Sequence, residues 1–193
     1  MIEAPLWVGA VVAFLIGSIP FAVLAMAGSG VDIRRVGSGN PGFNNVLRVD
    51  KKRAILTLIG DLGKGFLAVW LFYGAGDPIQ EGWLYGFSAV FGHCYTPWLG
   101  FNGGKGIATS AGIMLRLYPP WAAIGLAVFF VLRILGSRRK WPEAGAIASV
   151  STWVFFSLIL GLYESPLAAR NAALMTVFLA WRHKSNLRRL MGR

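Results

Sequence analysis

Apolar residues in this chain run in long blocks separated by short polar segments. Seven blocks predict seven transmembrane helices: Leu6–Ala27, Arg53–Tyr73, Trp83–Leu99, Ile107–Leu117, Pro120–Leu135, Ala144–Leu162 and Leu167–Trp181. A helix rises about 1.5 Å per residue, so about 20 apolar residues cross a hydrocarbon core of about 30 Å. The first block is the clearest. The fourth is too short to cross upright, so a broken helix or one that borrows from its flanks is expected there. The third and fifth are also short. No tandem repeat is visible, and the two glycine-rich polar segments have unlike surroundings, which speaks against inverted halves.

Composition agrees with the pattern. Over 193 residues, enough for one domain spanning 1–193, hydrophobic types make up 55% and charged types only 14%. A soluble protein of this size needs more charge to cover its surface. The expected class is therefore an all-α polytopic membrane protein. The segment from Met1 to Met26 lacks a basic n-region, and its apolar run exceeds a typical h-region, so it is read as a span and not as a removable signal peptide. The single cysteine, Cys94, excludes an internal disulfide and a cysteine-rich metal site. His93 and His183 lack the clustered carboxylates that a zinc site would need, so no metal is expected.

The net charge of +11 has a topological explanation. Arg34, Arg35, Arg48, Lys51, Lys52 and Arg53 sit in the first loop, Lys105 in the third, Arg138, Arg139 and Lys140 in the fifth. The tail adds Arg182, Lys184, Arg188, Arg189 and Arg193. The opposite side shows Arg116 and Arg170 beside Glu3, Asp77, Glu81 and Glu164. By the positive-inside rule the N-terminus faces outward, and the C-terminus and both glycine-rich loops are cytoplasmic. The basic residues lie at the ends of apolar spans without an RNA- or DNA-binding motif, so nucleic acid is not an expected partner.

Candidate chemistry concentrates in residues 37–48, Gly-Ser-Gly-Asn-Pro-Gly-Phe-Asn-Asn-Val-Leu-Arg. Gly37, Gly39 and Gly42 permit positive φ and close approach of amides to an anion. Ser38, Asn40, Asn44 and Asn45 add neutral donors, and Arg48 adds a charge that grips phosphate bidentately. An ordinary turn between helices is the alternative. A second segment of the same kind, Phe101-Asn102-Gly103-Gly104-Lys105-Gly106, weighs against it. Lys105 between glycines suits phosphate, with helix N-terminal amides from Ile107 onward as further donors. The GxxxxGK[ST] spacing of a Walker loop is absent.

Three other places carry ionisable groups. Asp61 and Lys64 lie three residues apart on one helical face inside the second block. Each is expensive in hydrocarbon, so they face each other, the bundle interior or a wet cavity, as a packing anchor or as part of a substrate site. Gly63 and Gly65 beside them would let another helix pack close. His93 ends the third block, a position where hydrogen-bonded structural histidines are commoner than catalysts. Residues 181–189 leave the membrane as a basic helix. Snorkelling explains its arginines, whereas His183 and Asn186, three residues apart, are placed to orient a substrate hydroxyl.

The ordered set Gly17-Ser18-Ile19-Pro20, residues 37–48, residues 61–65, Gly92-His93, residues 101–109 and residues 182–190 resembles the bacterial membrane-integral acyl-phosphate:glycerol-3-phosphate acyltransferase family. The resemblance implies seven transmembrane helices with a cytoplasm-facing site in the bacterial inner membrane. It also implies transfer of a fatty acyl group from acyl phosphate to the 1-hydroxyl of glycerol 3-phosphate. By motif position the implied catalytic residues are Ser38, His183 and Asn186. The implied substrate-binding residues are Gly37, Gly39, Asn40, Asn45, Arg48, Gly104, Lys105 and Ser149. The sequence departs from the family pattern at Phe43, Asn44 and Asn102, and at residues 143–147 ahead of Ser149.

No Ser-His-Asp arrangement or HxxxxD signature is present, so a covalent acyl-enzyme is not expected. No cofactor, coenzyme A site or obligatory protein partner is expected either. The expected partners are glycerol 3-phosphate, acyl phosphate and membrane lipids. Two rival classes remain open. A phosphate-ester or organic-anion transporter would line a path across the bilayer with its charges, which here gather on one face. A catalytically silent paralogue that binds phospholipid precursors fits the departures.

Overall fold

A computed structural model describes residues 2–192. Among them every regular element is helical. The chain divides into two compact units, the first running to Leu117 and the second starting at Tyr118.

The first unit opens with α1 (Leu6–Ser18) and α2 (Phe21–Met26), which the sequence pattern reads as one span. Pro20 splits them, because it has no amide hydrogen and its ring crowds the preceding turn. Side chains of later elements take up the carbonyls at the break. Lys64 Nζ donates to Ile19 O at 2.7 Å and Thr96 Oγ1 donates to Ser18 O at 2.6 Å. The short helix α3 (Phe43–Val46) closes the first glycine loop, and α4 (Lys51–Trp70) follows. The Asp50 carboxylate caps α4 by accepting from the Arg53 amide at 3.0 Å, and this bond holds its pKa below the ordinary carboxylate value.

Helix α5 (Ile79–Cys94) stops before the predicted end at Leu99. Pro97 begins a short 3-10 turn over Pro97–Leu99 instead. Helix α6 (Ile107–Leu117) has the predicted bounds.

Two helix pairs meet backbone to backbone. Between α1 and α5, a β-carbon on Gly17 would overlap the Ala89 backbone, and one on Gly92 would overlap the Phe14 carbonyl. Between α4 and α6, Gly65 faces the Thr109 carbonyl and Gly112 faces the Leu62 carbonyl in the same reciprocal way. Helices packed in lipid have little hydrophobic force between them, so small residues that admit close backbone contact supply the attraction.

The second unit consists of α7 (Pro119–Arg138), α8 (Ala144–Tyr163), α9 (Pro166–Arg182) and α10 (Lys184–Leu190). Gly125 of α7 receives the Phe156 ring of α8. Thr176 Oγ1 of α9 lies 2.9 Å from Trp153 O of α8. Ser165 caps α9 ahead of Pro166, with its hydroxyl accepting from Ala168 N at 3.1 Å.

By length and composition three segments are suited to crossing a membrane: Leu6–Met26, Pro119–Arg138 and Ala144–Tyr163. The remaining predicted spans are helices too, but α5 and α9 have 16 and 17 residues, and α4 carries Asp61 and Lys64 in its middle.

The glycine contacts separate two residues that look alike in sequence. Gly65→Ala is expected to lower the melting temperature in detergent markedly, since overpacking against backbone costs about 1–3 kcal/mol. Gly63→Ala is expected to be tolerated, because nothing lies within 4 Å of its β-carbon position. Equal melting temperatures for the two variants would contradict the packing.

Candidate active site

The first glycine loop is built around one side chain. Asn45 is 2% exposed, and its carboxamide donates to Ile33 O and Val36 O, both at 2.9 Å, while accepting from Ser38 N at 3.2 Å. Gly37 and Gly39 turn the chain with φ of +56° and +68°, values that L side chains rarely adopt. The loop amides are directed inward: Gly39 N donates to Val36 O, Gly42 N to Asn40 O, and Asn40 N to Ser38 Oγ. The amides of Ser38, Gly39, Asn40 and Gly42 are therefore engaged within the loop itself. It displays Ser38 and Arg48, both exposed.

Arg48 stands apart from the other arginines of the segment. Arg34 grips Asp32 through Nε and Nη2, each at 2.9 Å, and that bidentate bond pulls the Asp32 pKa down to about 2. Arg35 also faces Asp32, and Arg53 pairs with Asp50 while donating to Ala25 O and Ala27 O. Among the described residues no carboxylate pairs with Arg48. Its Nη1 lies 2.9 Å from where a Gly37 β-carbon would be, which places the guanidinium over the glycine turn next to Ser38.

The second glycine loop caps α5. Gly103 N donates to Cys94 O and Gly104 N to His93 O, both at 3.1 Å, so these amides too are engaged with the protein. Gly103 and Gly104 are buried, and Lys105 is half-buried. Beneath them lies a cluster that the sequence shows only in part. Lys64 Nζ is 2.8 Å from Asp61 Oδ1, as their i, i+3 spacing predicts, and His93 Nδ1 of α5 is 3.4 Å from the same oxygen. Asp61, Lys64, His93, Gly103, Gly104 and Pro41 of the first loop line one narrow cleft beside the Pro20 break.

The other predicted residues belong to the second unit. Ser149 is buried and donates its hydroxyl back to Gly145 O at 2.8 Å. His183 is 4% exposed and interrupts the helix between α9 and α10, with Nδ1 2.8 Å from Leu179 O. Asn186 donates Nδ2 to Glu143 Oε2 at 2.5 Å. Glu143 also accepts from Arg189 Nε, which raises the Arg189 pKa above its ordinary value. Leu187 N donates to His183 O at 2.9 Å, a helical turn that keeps His183 and Asn186 on one face as their spacing suggests. Among the described residues no His, Cys, Asp or Glu group is arranged for a metal ion.

The loop geometry makes Asn45 a local keystone. Asn45→Ala is expected to destabilise the protein by about 1–3 kcal/mol, the usual effect of leaving buried partners unsatisfied. Asn45→Asp is expected to do the same, because it loses the amide donors. Thermal unfolding in detergent checks both.

The chain is similar to known proteins along its length. Residues 7–193 match the family model described as glycerol-3-phosphate acyltransferase. A glycerol-3-phosphate acyltransferase of Pseudomonas syringae pv. tomato is 43% identical over 189 residues, covering 96% of this chain and 94% of the relative. One of Burkholderia pseudomallei is 42% identical over 187 residues, covering 94% and 90%. Among solved structures, PlsY (YgiH), an integral membrane glycerol 3-phosphate acyltransferase, superposes in its glycerol 3-phosphate form with a TM-score of 0.86. That match has 29% identity and covers 97% of this chain and 92% of the other. Its lysophosphatidic acid form gives 0.83 at 28% identity, with the same coverage. This chain belongs to the glycerol-3-phosphate acyltransferase family and is an integral-membrane acyltransferase.

Proposed function

We propose that the protein transfers a fatty acyl group from acyl phosphate to the 1-hydroxyl of glycerol 3-phosphate, the first step of phospholipid synthesis. The hydroxyl oxygen attacks the acyl carbonyl carbon, and the bond from that carbon to the phosphate oxygen breaks. The hydroxyl proton passes to a phosphate oxygen of a substrate. The products are lysophosphatidic acid and inorganic phosphate. The observation that carries the reading is Arg48, exposed over the Gly37 turn and without a carboxylate partner among the described residues. A guanidinium so placed is suited to a phosphate dianion.

Acyl phosphate is already activated, so the protein has to bring two anionic substrates together and keep water from the donor. Positioning of this kind is worth about 7–11 kcal/mol in well-oriented systems. Arg48 and Lys105 neutralise phosphate charge, and the Ser38 hydroxyl donates a directional hydrogen bond. The family's motif positions assign His183 and Asn186 to orienting the attacking hydroxyl and Ser149 to substrate binding. Gly37, Gly39, Asn40 and Asn45 shape the first loop, and Gly104 shapes the second. No covalent acyl-enzyme, metal or coenzyme A takes part in the scheme. The chain forms a single functional domain of seven spans in the bacterial inner membrane, with its N-terminus outside.

Purified protein given palmitoyl phosphate and labelled glycerol 3-phosphate is expected to form labelled lysophosphatidic acid. Arg48→Ala and Lys105→Ala are each expected to lose roughly ten- to hundredfold, the equivalent of a charge-assisted contact of about 1.5–3 kcal/mol. Arg48→Lys should also lose activity, since an ammonium does not reproduce the fork. His183→Ala and Asn186→Ala should lower turnover more than glycerol 3-phosphate affinity, and the double variant should be less than additive. Binding of glycerol 3-phosphate by the wild type without transfer would favour a silent paralogue. Loss of label from vesicles without acylation would favour a transporter.

The orientation is checked separately. A reporter fused after the C-terminus is expected to be cytoplasmic, and an externally accessible one would overturn the seven-span topology.

A further inference from the structure

Three ionisable groups of the first unit are buried, Asp61, Lys64 and His93, at 2%, 3% and 7% exposure, and none of them has a role in the scheme above. Well-packed apolar side chains in such a place are often at least as stabilising as an ion pair. The contacts show what the cluster joins. At one end Lys64 Nζ holds Asp61 Oδ1 at 2.8 Å and Ile19 O at 2.7 Å, at the Pro20 break. At the other end the same Asp61 oxygen faces His93 Nδ1 at 3.4 Å. A ring nitrogen facing a carboxylate carries its proton, so Asp61 selects both the tautomer and the plane of the imidazole.

The far edge of that ring meets the second glycine loop. A β-carbon on Gly104 would fall on His93 Nε2, and the Gly104 amide donates to the His93 carbonyl at 3.1 Å. Gly104 is thus held by the main chain and by the ring of one residue, immediately before Lys105. We propose that Asp61 and His93 are positioning residues: the ring clamped by Asp61 sets the seat of Gly104 and, through it, the place of the Lys105 ammonium. The inference rests on the assignment of Lys105 to substrate phosphate.

The test uses the full chain in lipid nanodiscs and two readouts. In the first, amide hydrogen exchange over residues 100–106 is expected to quicken by about tenfold in His93→Ala and Asp61→Asn, while exchange in α8 stays as in the wild type. In the second, His93→Ala is expected to lower kcat/KM for glycerol 3-phosphate about ten- to hundredfold, as displacement of a reacting group by about 1 Å does. In a Lys105→Ala background the same change should lower it less than about twofold, since coupled residues are not additive.

Gly104→Ala should also lose activity and regain part of it when combined with His93→Ala, which vacates the space. Where His93→Ala does not fold, His93→Asn keeps a donor toward Asp61 without the ring against Gly104 and carries the same comparison. Unchanged exchange over residues 100–106 would overturn the proposal, as would an equal loss with and without Lys105. Faster loop exchange in a protein whose wild type transfers no acyl group would support the clamp and refute the proposed reaction instead.

Discussion

The bond from Lys64 Nζ to Ile19 O is the contact on which the first unit depends. Pro20 ends α1 and leaves backbone carbonyls without helical partners, and in an apolar surrounding each such group is costly. A lysine in the middle of α4 is equally costly unless it is paired. Bringing the two together answers both needs, and Asp61 balances the charge from the same helix. The break, the ion pair and His93 thus form one polar seam among α1, α4 and α5. The reciprocal glycine contacts at Gly17 and Gly92, and at Gly65 and Gly112, bring the backbones close enough for these short hydrogen bonds to form.

The two glycine-rich loops share a composition and differ in construction. In the first, the Asn45 carboxamide replaces regular structure, gathering Ile33, Val36 and Ser38 around itself so that Arg48 can lie over Gly37. In the second, the glycines serve close approach: Gly103 and Gly104 lie directly on the end of α5 and satisfy its last carbonyls. In both, several of the amides that composition suggests for an anion are engaged with the protein, those of Ser38, Gly39, Asn40 and Gly42 in one loop and of Gly103 and Gly104 in the other.

The arginines illustrate how much of a candidate site is readable in advance. Sequence marks the residues between α2 and α4 as basic without ranking them. The fold ranks them, because Asp32 occupies Arg34 and Asp50 with the Ala25 and Ala27 carbonyls occupies Arg53. Likewise the i, i+3 spacing of Asp61 and Lys64 is legible as a pair, since helix geometry alone puts them on one face. The addition of His93 is not, because it comes from another helix. For His183 and Asn186 the spacing is equally legible, and what the fold adds is a partner for each, Leu179 O for the ring and the Glu143 carboxylate for the carboxamide.

The sequence by itself determined that this is a helical membrane protein, where its apolar helices lie, and which ordered motifs tie it to its family. Those properties follow from hydrophobic length, charge distribution and local order, which are one-dimensional quantities. Only the tertiary structure decided that the first span is broken and sutured by Lys64 and Thr96, and that Gly65 is a packing position whereas Gly63 is not. It alone decided that Asn45 organises the loop from which Arg48 projects, and that His93 meets both Asp61 and Gly104. Each of these depends on what a neighbouring helix presents at a distance of a few ångströms, and hydrophobic pattern carries no information about that.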